Sequence, residues 1–195
     1  MTAMKAKGFT IVELIVIIVV IGILAGIVAV AWPNYMKSTH DGERKSDLEQ
    51  LSSALNVYAL QKNSKMSTGS NCGKNNNGNG WVSFAGTAEN GDVYQTSIVK
   101  CLQDIEALPG EPFNDPSGCT TIGPGACGAP VRAYMKATCQ QVGGQEVTYL
   151  FAHLETEPRK DSEIDGLCNG TVAGFDGSAK NWGSLYGMNY YVEVD

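Results

Sequence analysis

The sequence is short of positive charge. Its 195 residues include 14 lysines and arginines against 20 aspartates and glutamates, which gives a formal net charge of −6 at pH 7. A protein that grips nucleic acid by its phosphates carries a basic patch or stripe. This composition offers none, so we predict no direct nucleic-acid partner.

The motifs of common metal and enzyme sites are also missing. No two of the six cysteines have Cys-x-x-Cys spacing, and neither His40 nor His153 lies near one, so the sequence does not support a zinc site. No serine has the Gly-x-Ser-x-Gly context of many hydrolases. The stretch from Gly123 to Gly128 fits Gly-x-Gly-x-x-Gly, but a dinucleotide site needs a strand before it and a helix after it. Prolines flank this stretch and a strand pattern follows. We therefore predict no catalytic activity and no cofactor.

Calcium is the one ligand for which the loops could supply a site, because calcium prefers carboxylate and carbonyl oxygens. Neither of two acidic loop clusters has an EF-hand pattern, and we assign no metal ligand. The clusters are Glu111, Asn114 and Asp115, and Asp161, Glu163 and Asp165.

Against these absences stands one long apolar run. From Leu14 to Trp32 nineteen residues carry no charge, and about 20 apolar residues span a bilayer as a helix. Lys5 and Lys7 precede the run, which places the N-terminus in the cytoplasm and the rest of the chain outside it. Glu13 lies near the start of the run, and an ionisable group at membrane depth marks a functional position because it is costly there.

The apolar run has further features that predict how its helix packs and where it bends. Gly22 and Gly26 form a pair of small residues that lets helices approach closely. Pro33 removes one backbone hydrogen bond and should kink the helix. Beyond it an amphipathic helix is predicted to continue to Lys62, because apolar residues recur at helical spacing: Leu48, Leu51, Leu55 and Tyr58.

The segment from Lys5 to Glu13 resembles the processing site of type IV prepilins and pseudopilins. It joins basic residues, the pair Gly8-Phe9, a glutamate at the fifth position counted from Phe9, and an immediate apolar helix. The region from Arg44 to Tyr58 is also similar to the stretch after the anchor in this family, with the pattern Arg-x-x-Asp-Leu-x-x-Leu-x-x-Ala-Leu-x-x-Tyr. The resemblance covers about the first third of the chain.

The resemblance implies a protein with two successive states. A prepilin peptidase would cut between Gly8 and Phe9, the Phe9 amine would be methylated, and the retained helix would anchor the subunit in the lipid of the cytoplasmic membrane. An inner-membrane assembly platform would then add the subunit to a helical filament by self-association. There the Phe9 amine would pair with Glu13 of its own or a neighbouring subunit, so that each offsets the cost of burying the other.

The implied function is that of a structural subunit of a type IV pilus-like filament on the cell surface. One alternative within the family is a periplasmic pseudopilin of a type II secretion or DNA-uptake system. An alternative from another class is a membrane-anchored exported binding domain that never polymerises. This last alternative leaves Gly8, Phe9 and Glu13 unexplained.

The predicted fold class is α+β, with the long N-terminal helix packed on a small antiparallel sheet in a loop-rich, type IV pilin-like head. We divide the chain into a leader (1–8), a membrane and polymerisation helix (9–33), its amphipathic continuation (34–62) and an exported head (63–195). Strand patterns cover 131–140, 147–154 and 190–194, with 81–84 either a short strand or loop anchors. The first of them is predicted to be half-buried, because apolar positions alternate with a polar face that includes Lys136. A second helix is predicted at 93–107, and loops at 63–80 and 155–189.

The cysteines all lie beyond the anchor, and an even number in an exported domain indicates up to three disulfides. Six cysteines allow fifteen pairings, among which the sequence alone does not choose. We take nearest-neighbour pairing as the working hypothesis: Cys72–Cys101, Cys119–Cys127 and Cys139–Cys168.

Overall fold

The computed structural model describes residues 9–67, 69–73, 78–82, 98–109, 115–117, 133–141, 143–169 and 181–194. The chain forms two compact units, Met1–Thr39 and His40–Asp195. From here on, the head means this second unit, which begins at His40 rather than at residue 63. The four-part division predicted from the sequence stays a prediction.

The first helix, α1, runs from Ile11 to Lys62 and continues through Pro33. This confirms the predicted continuation, whereas the predicted kink stays untested. In the head, α1 buries the predicted apolar face, Leu48, Leu51, Leu55 and Tyr58, together with Ala54. Asn63 follows the helix with a φ of 52°, a left-handed conformation that asparagine tolerates just after a helix end.

The head contains a four-stranded antiparallel sheet in the order β1-β2-β3-β4. The strands are Gly80–Trp81, Met135–Gln140, Glu146–Ala152 and Tyr190–Val194. Two short helices accompany it, α2 at Ile98–Asp104 and α3 at Asp161–Asp165. The α+β class and the helix-on-sheet architecture are therefore confirmed.

Both faces of the sheet are buried, which corrects the prediction of a half-buried strand at β2. On one face Tyr134 and Leu150 pack with the buried side chains of α1 and α2. On the other face Met135 and Phe151 pack with Trp182 and other side chains from the chain between β3 and β4. An alternating pattern predicts one solvated face only when nothing covers it. Here part of the predicted 155–189 loop, including Ile164 and Trp182, covers the second face.

Other boundaries also differ from the sequence prediction. The described part of helix α2 ends at Asp104 rather than at 107, and the predicted start at 93–97 lies outside the described residues. Of the predicted 81–84 strand, Trp81 pairs with Met135, while 83–84 lie outside. Helix α3 is a short turn of helix inside the predicted 155–189 loop.

Two disulfides are present among the described residues. Cys72 bonds to Cys101, and Cys139 bonds to Cys168. These are two of the three nearest-neighbour pairs, and the third, Cys119–Cys127, lies outside the described residues. Since Cys139 belongs to β2, its bond fixes the chain after α3 to the sheet.

Candidate functional site: the start of the long helix and the base of the head

The start of α1 is closed by a reciprocal pair of hydrogen bonds between Thr10 and Glu13. The Thr10 backbone N–H and its hydroxyl both donate to Glu13 Oε2, at 2.9 and 2.8 Å. The Glu13 backbone N–H donates in turn to Thr10 Oγ1 at 3.3 Å. This is a capping box, which satisfies two helix-end donors that have no partner within the helix.

The capping box changes the interpretation of Glu13. Its carboxylate already has partners within its own chain, so the carboxylate carries part of its hydrogen bonding with it into an apolar environment. Oε1 makes no hydrogen bond among the described residues. One oxygen is thus engaged locally and one is placed for a further cation or donor. The Thr10-x-x-Glu13 spacing could have revealed this from the sequence.

Phe9 is described and its side chain is 77% exposed, whereas Gly8 lies outside the described residues. The roles of Gly8, Phe9 and Glu13 in processing and assembly stay predictions. In the structure Phe9 lies two residues before the first helical residue, Ile11, and Glu13 lies in the first turn of α1.

The first unit exposes apolar side chains all round its helix. Every large apolar side chain from Phe9 to Trp32 is at least 43% exposed. A helix that is apolar all round belongs in lipid or in the core of an assembly, and this one is long and apolar enough to cross a membrane. A Cβ added at Gly22 or Gly26 would meet nothing within 4 Å. Their proposed role in close helix packing is not tested within a single chain.

At the base of the head, Arg44 joins three segments of the chain. Its Nε and Nη2 donate to the two carboxylate oxygens of Asp115 at 2.7 and 3.0 Å. Its Nη1 donates to Asp41 at 2.9 Å and to Glu155 at 3.1 Å. The Arg44 side chain is fully buried. Such a two-pronged arginine–carboxylate pair is geometrically specific and strong.

Asp41 links α1 to the chain after β3 by a second route. Its oxygens accept the backbone N–H groups of Glu155 and Thr156, both at 2.8 Å, and the Thr156 hydroxyl at 2.7 Å. Asp41 therefore fixes the turn at 155–156 against the part of α1 that belongs to the head. We call Asp41, Arg44, Asp115 and Glu155 the Arg44 cluster.

The electrostatics of the cluster keep its aspartates ionised. Burial acts to raise the pKa of Asp115, but hydrogen bonds from Arg44 and Ser117 outweigh it and hold that pKa below its usual value. Burial likewise opposes ionisation of Asp41, yet donors from Thr156, Glu155 and Arg44 lower its pKa. The pKa of Arg44 is raised because its carboxylate partners outweigh the cost of burial. Asp41, Arg44 and Asp115 are therefore all charged and hydrogen-bonded in the folded head.

Asp47 makes a separate contact between α1 and the sheet. It accepts a hydrogen bond from the Tyr134 hydroxyl at 2.6 Å. Burial raises the pKa of Asp47 above its usual value, and the Tyr134 hydrogen bond only partly offsets this. Burial and the Asp47 carboxylate together raise the pKa of the Tyr134 phenol.

Sequence reasoning missed the Arg44 cluster, although one signal for it was present. Arg44 precedes Leu48 by four residues and so lies on the buried face of α1. A charged residue on that face predicts a buried partner. The partners Asp115 and Glu155 are 71 and 111 residues away, and no pattern in the sequence connects them.

The acidic clusters considered for calcium have other partners in the structure. Asp115 belongs to the Arg44 cluster, whereas Glu111 and Asn114 lie outside the described residues. In the second cluster Asp161 pairs with Arg159, and Asp165 accepts the backbone N–H of Gly183 at 2.7 Å. No group of three or more potential metal ligands occurs in the part of the chain that the structure describes. The glycine-rich stretch at 123–128 lies outside it.

Comparison with known proteins agrees with the resemblance drawn from the residues. Residues 3–29 match the family model described as "Prokaryotic N-terminal methylation motif". The matched motif coincides with the segment whose residues resemble those of type IV prepilins and pseudopilins, and a helix-on-sheet head follows it along the chain. No solved structure matches it significantly.

Within that class, the chain is similar to a protein of a secretion machine. It is 39% identical over 67 residues to the type II secretion system core protein G of Pectobacterium carotovorum subsp. carotovorum. The matched part is 33% of this chain and 41% of that protein. The chain therefore matches less than half the length of this relative.

Proposed function

We propose that this chain is a structural subunit of a type IV pilus-like filament and polymerises through its N-terminal helix. The carrying observation is that helix α1 exposes apolar side chains on every side from Phe9 to Trp32, with Glu13 as the one carboxylate among them. A helix that is apolar on every side can lie in lipid or pack in a bundle of identical helices. The same segment can therefore anchor the single subunit and form the core of the filament.

Glu13 sets the position of an incoming subunit in this proposal. After a cut between Gly8 and Phe9, a positive amine heads each new chain. An amine and a carboxylate that are both removed from water stabilise each other at short range. Oε2 of Glu13 is held by Thr10, so its carboxylate is oriented before the neighbour arrives. The processing enzyme and the assembly platform are partners that this mechanism requires.

The first test replaces Glu13 with alanine in the full chain, expressed with a complete assembly system. Membrane insertion should be unchanged, because removing a carboxylate makes the segment more apolar. We expect filament yield, counted by negative-stain electron microscopy, to fall at least about tenfold, because a loss of about 1.4 kcal/mol per added subunit raises the critical concentration for assembly tenfold.

The matched control is Glu49→Ala, which removes an exposed carboxylate from the same helix. It should leave both insertion and filament yield at the wild-type level. Normal filament yield from the Glu13→Ala variant would contradict the proposal.

A second use of the same design is a short periplasmic pseudopilus in type II secretion. The similarity to a type II secretion system core protein G favours it. Deleting the gene distinguishes the two uses. Loss of surface filaments with normal export of secreted enzymes indicates a pilus, and loss of export without loss of surface filaments indicates a pseudopilus.

A further inference from the structure

Two aromatic side chains lie next to each other where the apolar run ends. Trp32 is the last residue of that run, and Tyr35 follows three residues later on the same helix. Their ring centroids are 6.2 Å apart, at an interplanar angle of 40°. Trp32 is 58% exposed and Tyr35 is 65% exposed. The pair therefore presents a large aromatic surface that no described part of the chain covers.

Trp32 differs in this respect from the two tryptophans of the head. Trp182 is fully buried, Trp81 is partly buried, and both pack on the second face of the sheet. In the first unit Trp32 has no core to enter, because the large apolar side chains from Phe9 onwards are all at least 43% exposed. An exposed aromatic surface of this kind indicates a partner outside the single chain.

Each of the two rings also carries a polar group that has no partner in the described chain. Neither the indole N–H of Trp32 nor the hydroxyl of Tyr35 makes a hydrogen bond among the described residues. The rings are thus apolar over their bodies and polar at one edge. Side chains with this character are enriched at the boundary between the hydrocarbon of a bilayer and water.

A lysine follows the aromatic pair. Lys37 is the first charged residue after Glu13 and is exposed, with no ion-pair partner among the described residues. It lies about 8 Å beyond Trp32 along the helix, at 1.5 Å per residue. Its ammonium can therefore reach lipid phosphates while the two rings stay at the edge of the hydrocarbon.

The other end of the apolar run agrees with this position of the rings. Trp32 follows Glu13 by nineteen residues, which is about 29 Å along a helix. The hydrocarbon core of a bilayer is about 30 Å thick. With the Trp32 ring at one boundary of the hydrocarbon, the Glu13 carboxylate reaches the opposite boundary, where water can still solvate it.

A second copy of the chain is the other partner that could cover the pair, and the sequence around Trp32 disfavours it. Helices that associate in lipid do so through small residues that let their backbones approach closely. The glycines of this segment, Gly22 and Gly26, lie six and ten residues before Trp32. At Trp32 and Tyr35 themselves, two bulky rings would hold a neighbouring helix away.

We propose that Trp32 and Tyr35 dock in the phospholipid headgroup region of the leaflet opposite the N-terminus and set the depth of the inserted subunit. Lipid carbonyl and phosphate oxygens accept hydrogen bonds from the indole N–H, the phenol and the Lys37 ammonium. The inference rests on the membrane-anchored state of the proposed function and adds which residues fix that state.

The first experiment locates the Trp32 ring by ¹⁹F NMR of the full chain, labelled with fluorotryptophan, in phospholipid bicelles. Trp32→Phe assigns the Trp32 resonance among those of the three tryptophans. The bicelles carry nitroxide lipids labelled either near the headgroup or near the end of the acyl chain. We expect the headgroup-side label to broaden the Trp32 resonance at least about threefold more than the chain-end label.

The outcomes separate this inference from the proposed function. Stronger broadening by the chain-end label overturns the inference and leaves membrane insertion intact. Absence of broadening by both labels contradicts the membrane-anchored state and with it both proposals. The ratio of the two effects should also stay constant when the lipid-to-protein ratio is raised. A ratio that changes shows contact between copies of the chain and overturns the inference.

The second experiment tests whether the pair sets the depth of the segment. The reporter is the ¹³C-labelled methyl group of Met36, broadened by the same two nitroxide lipids. Replacing both Trp32 and Tyr35 with leucine keeps the segment apolar but removes its two interfacial groups. We expect Met36 to move deeper, so that its ratio of headgroup-side to chain-end broadening falls at least about twofold.

The matched control is Val30→Leu, a change at a 77% exposed position of the same segment. It should leave the Met36 ratio at the wild-type value, because no interfacial group is removed. An unchanged ratio in the double leucine variant would overturn the role of the two rings in setting the depth.

Discussion

At the scale of single residues, Arg44 contributes most to the joint between the long helix and the rest of the head. One guanidinium satisfies carboxylates from three separate segments, and two of them, Asp41 and Asp115, are almost fully buried. Removing the guanidinium would destabilise the head mainly because the carboxylates around it would lose their partner. Asp41 and Asp115 would remain buried close together without the guanidinium, and buried unpaired charge is strongly destabilising.

Replacing Arg44 with glutamine should therefore lower the free energy of unfolding by about 3–5 kcal/mol. Guanidinium unfolding of the mature chain in detergent, followed by near-ultraviolet circular dichroism, measures this. The control is Arg159→Gln, which removes an exposed arginine paired with Asp161 and should cost less than about 1 kcal/mol. Equal losses in the two variants would show that the Arg44 cluster adds no more than a surface pair.

Glu13 differs from the Arg44 cluster because its hydrogen-bond partners are neighbours in the sequence. A carboxylate within an apolar segment is costly, yet the Thr10 hydrogen bonds give it partners before any neighbour arrives. The glutamate thus caps the helix in the single subunit and, in our proposal, pairs with an amine in the filament. Its two oxygens allow both roles at once.

At the scale of elements, helix α1 has two kinds of surface along one continuous length. Up to Trp32 it exposes apolar side chains on all sides, whereas in the head it buries a single apolar face against the sheet. The first surface is suited to lipid or to other helices, and the second belongs to an ordinary folded core.

The head face of α1 gives a matched pair of variants. Leu51 is fully buried and Leu60 is 84% exposed on the same helix. Leu51→Ala should lower the free energy of unfolding by about 2–5 kcal/mol, because it leaves a cavity in the core. Leu60→Ala should change it by less than about 0.5 kcal/mol. Thermal unfolding of both variants provides the comparison, and similar melting temperatures for the two would contradict the described face.

The elements also show where sequence reasoning succeeds and where it fails. Leu48, Leu51, Leu55 and Tyr58 were predictable because a helical face repeats locally. The strand at Tyr190–Val194 and the two described disulfides were predicted correctly as well. The prediction of a solvated face at Lys136 is wrong. The strand's own pattern carries no information about Met66, Gly78 and Asn79, whose oxygens surround the Lys136 amine.

The Arg44 cluster was missed for a similar physical reason. Its arginine is visible on the buried face of α1, but the positions of Asp115 and Glu155 depend on how irregular chain folds back over long sequence distances. Local periodicity predicts elements and their faces. It does not predict which loop carboxylate reaches a given cation.

At the scale of the whole molecule, the chain has two units that differ in their physical character. The first unit is an apolar helix that carries a processing motif at its start. The second is a head whose sheet is covered on both faces and tied by disulfides. The disulfides add to the stability of the buried core mainly by constraining the unfolded chain.

The central claim is that the first unit is processed and used as a pilin-type assembly helix. The most direct test is the N-terminal mass of the mature protein purified from its own cells. We predict a chain that begins at Phe9 and carries one added methyl group on its amine. A chain that still begins at Met1, or one cut after Ala31 at the far end of the apolar run, would contradict the account.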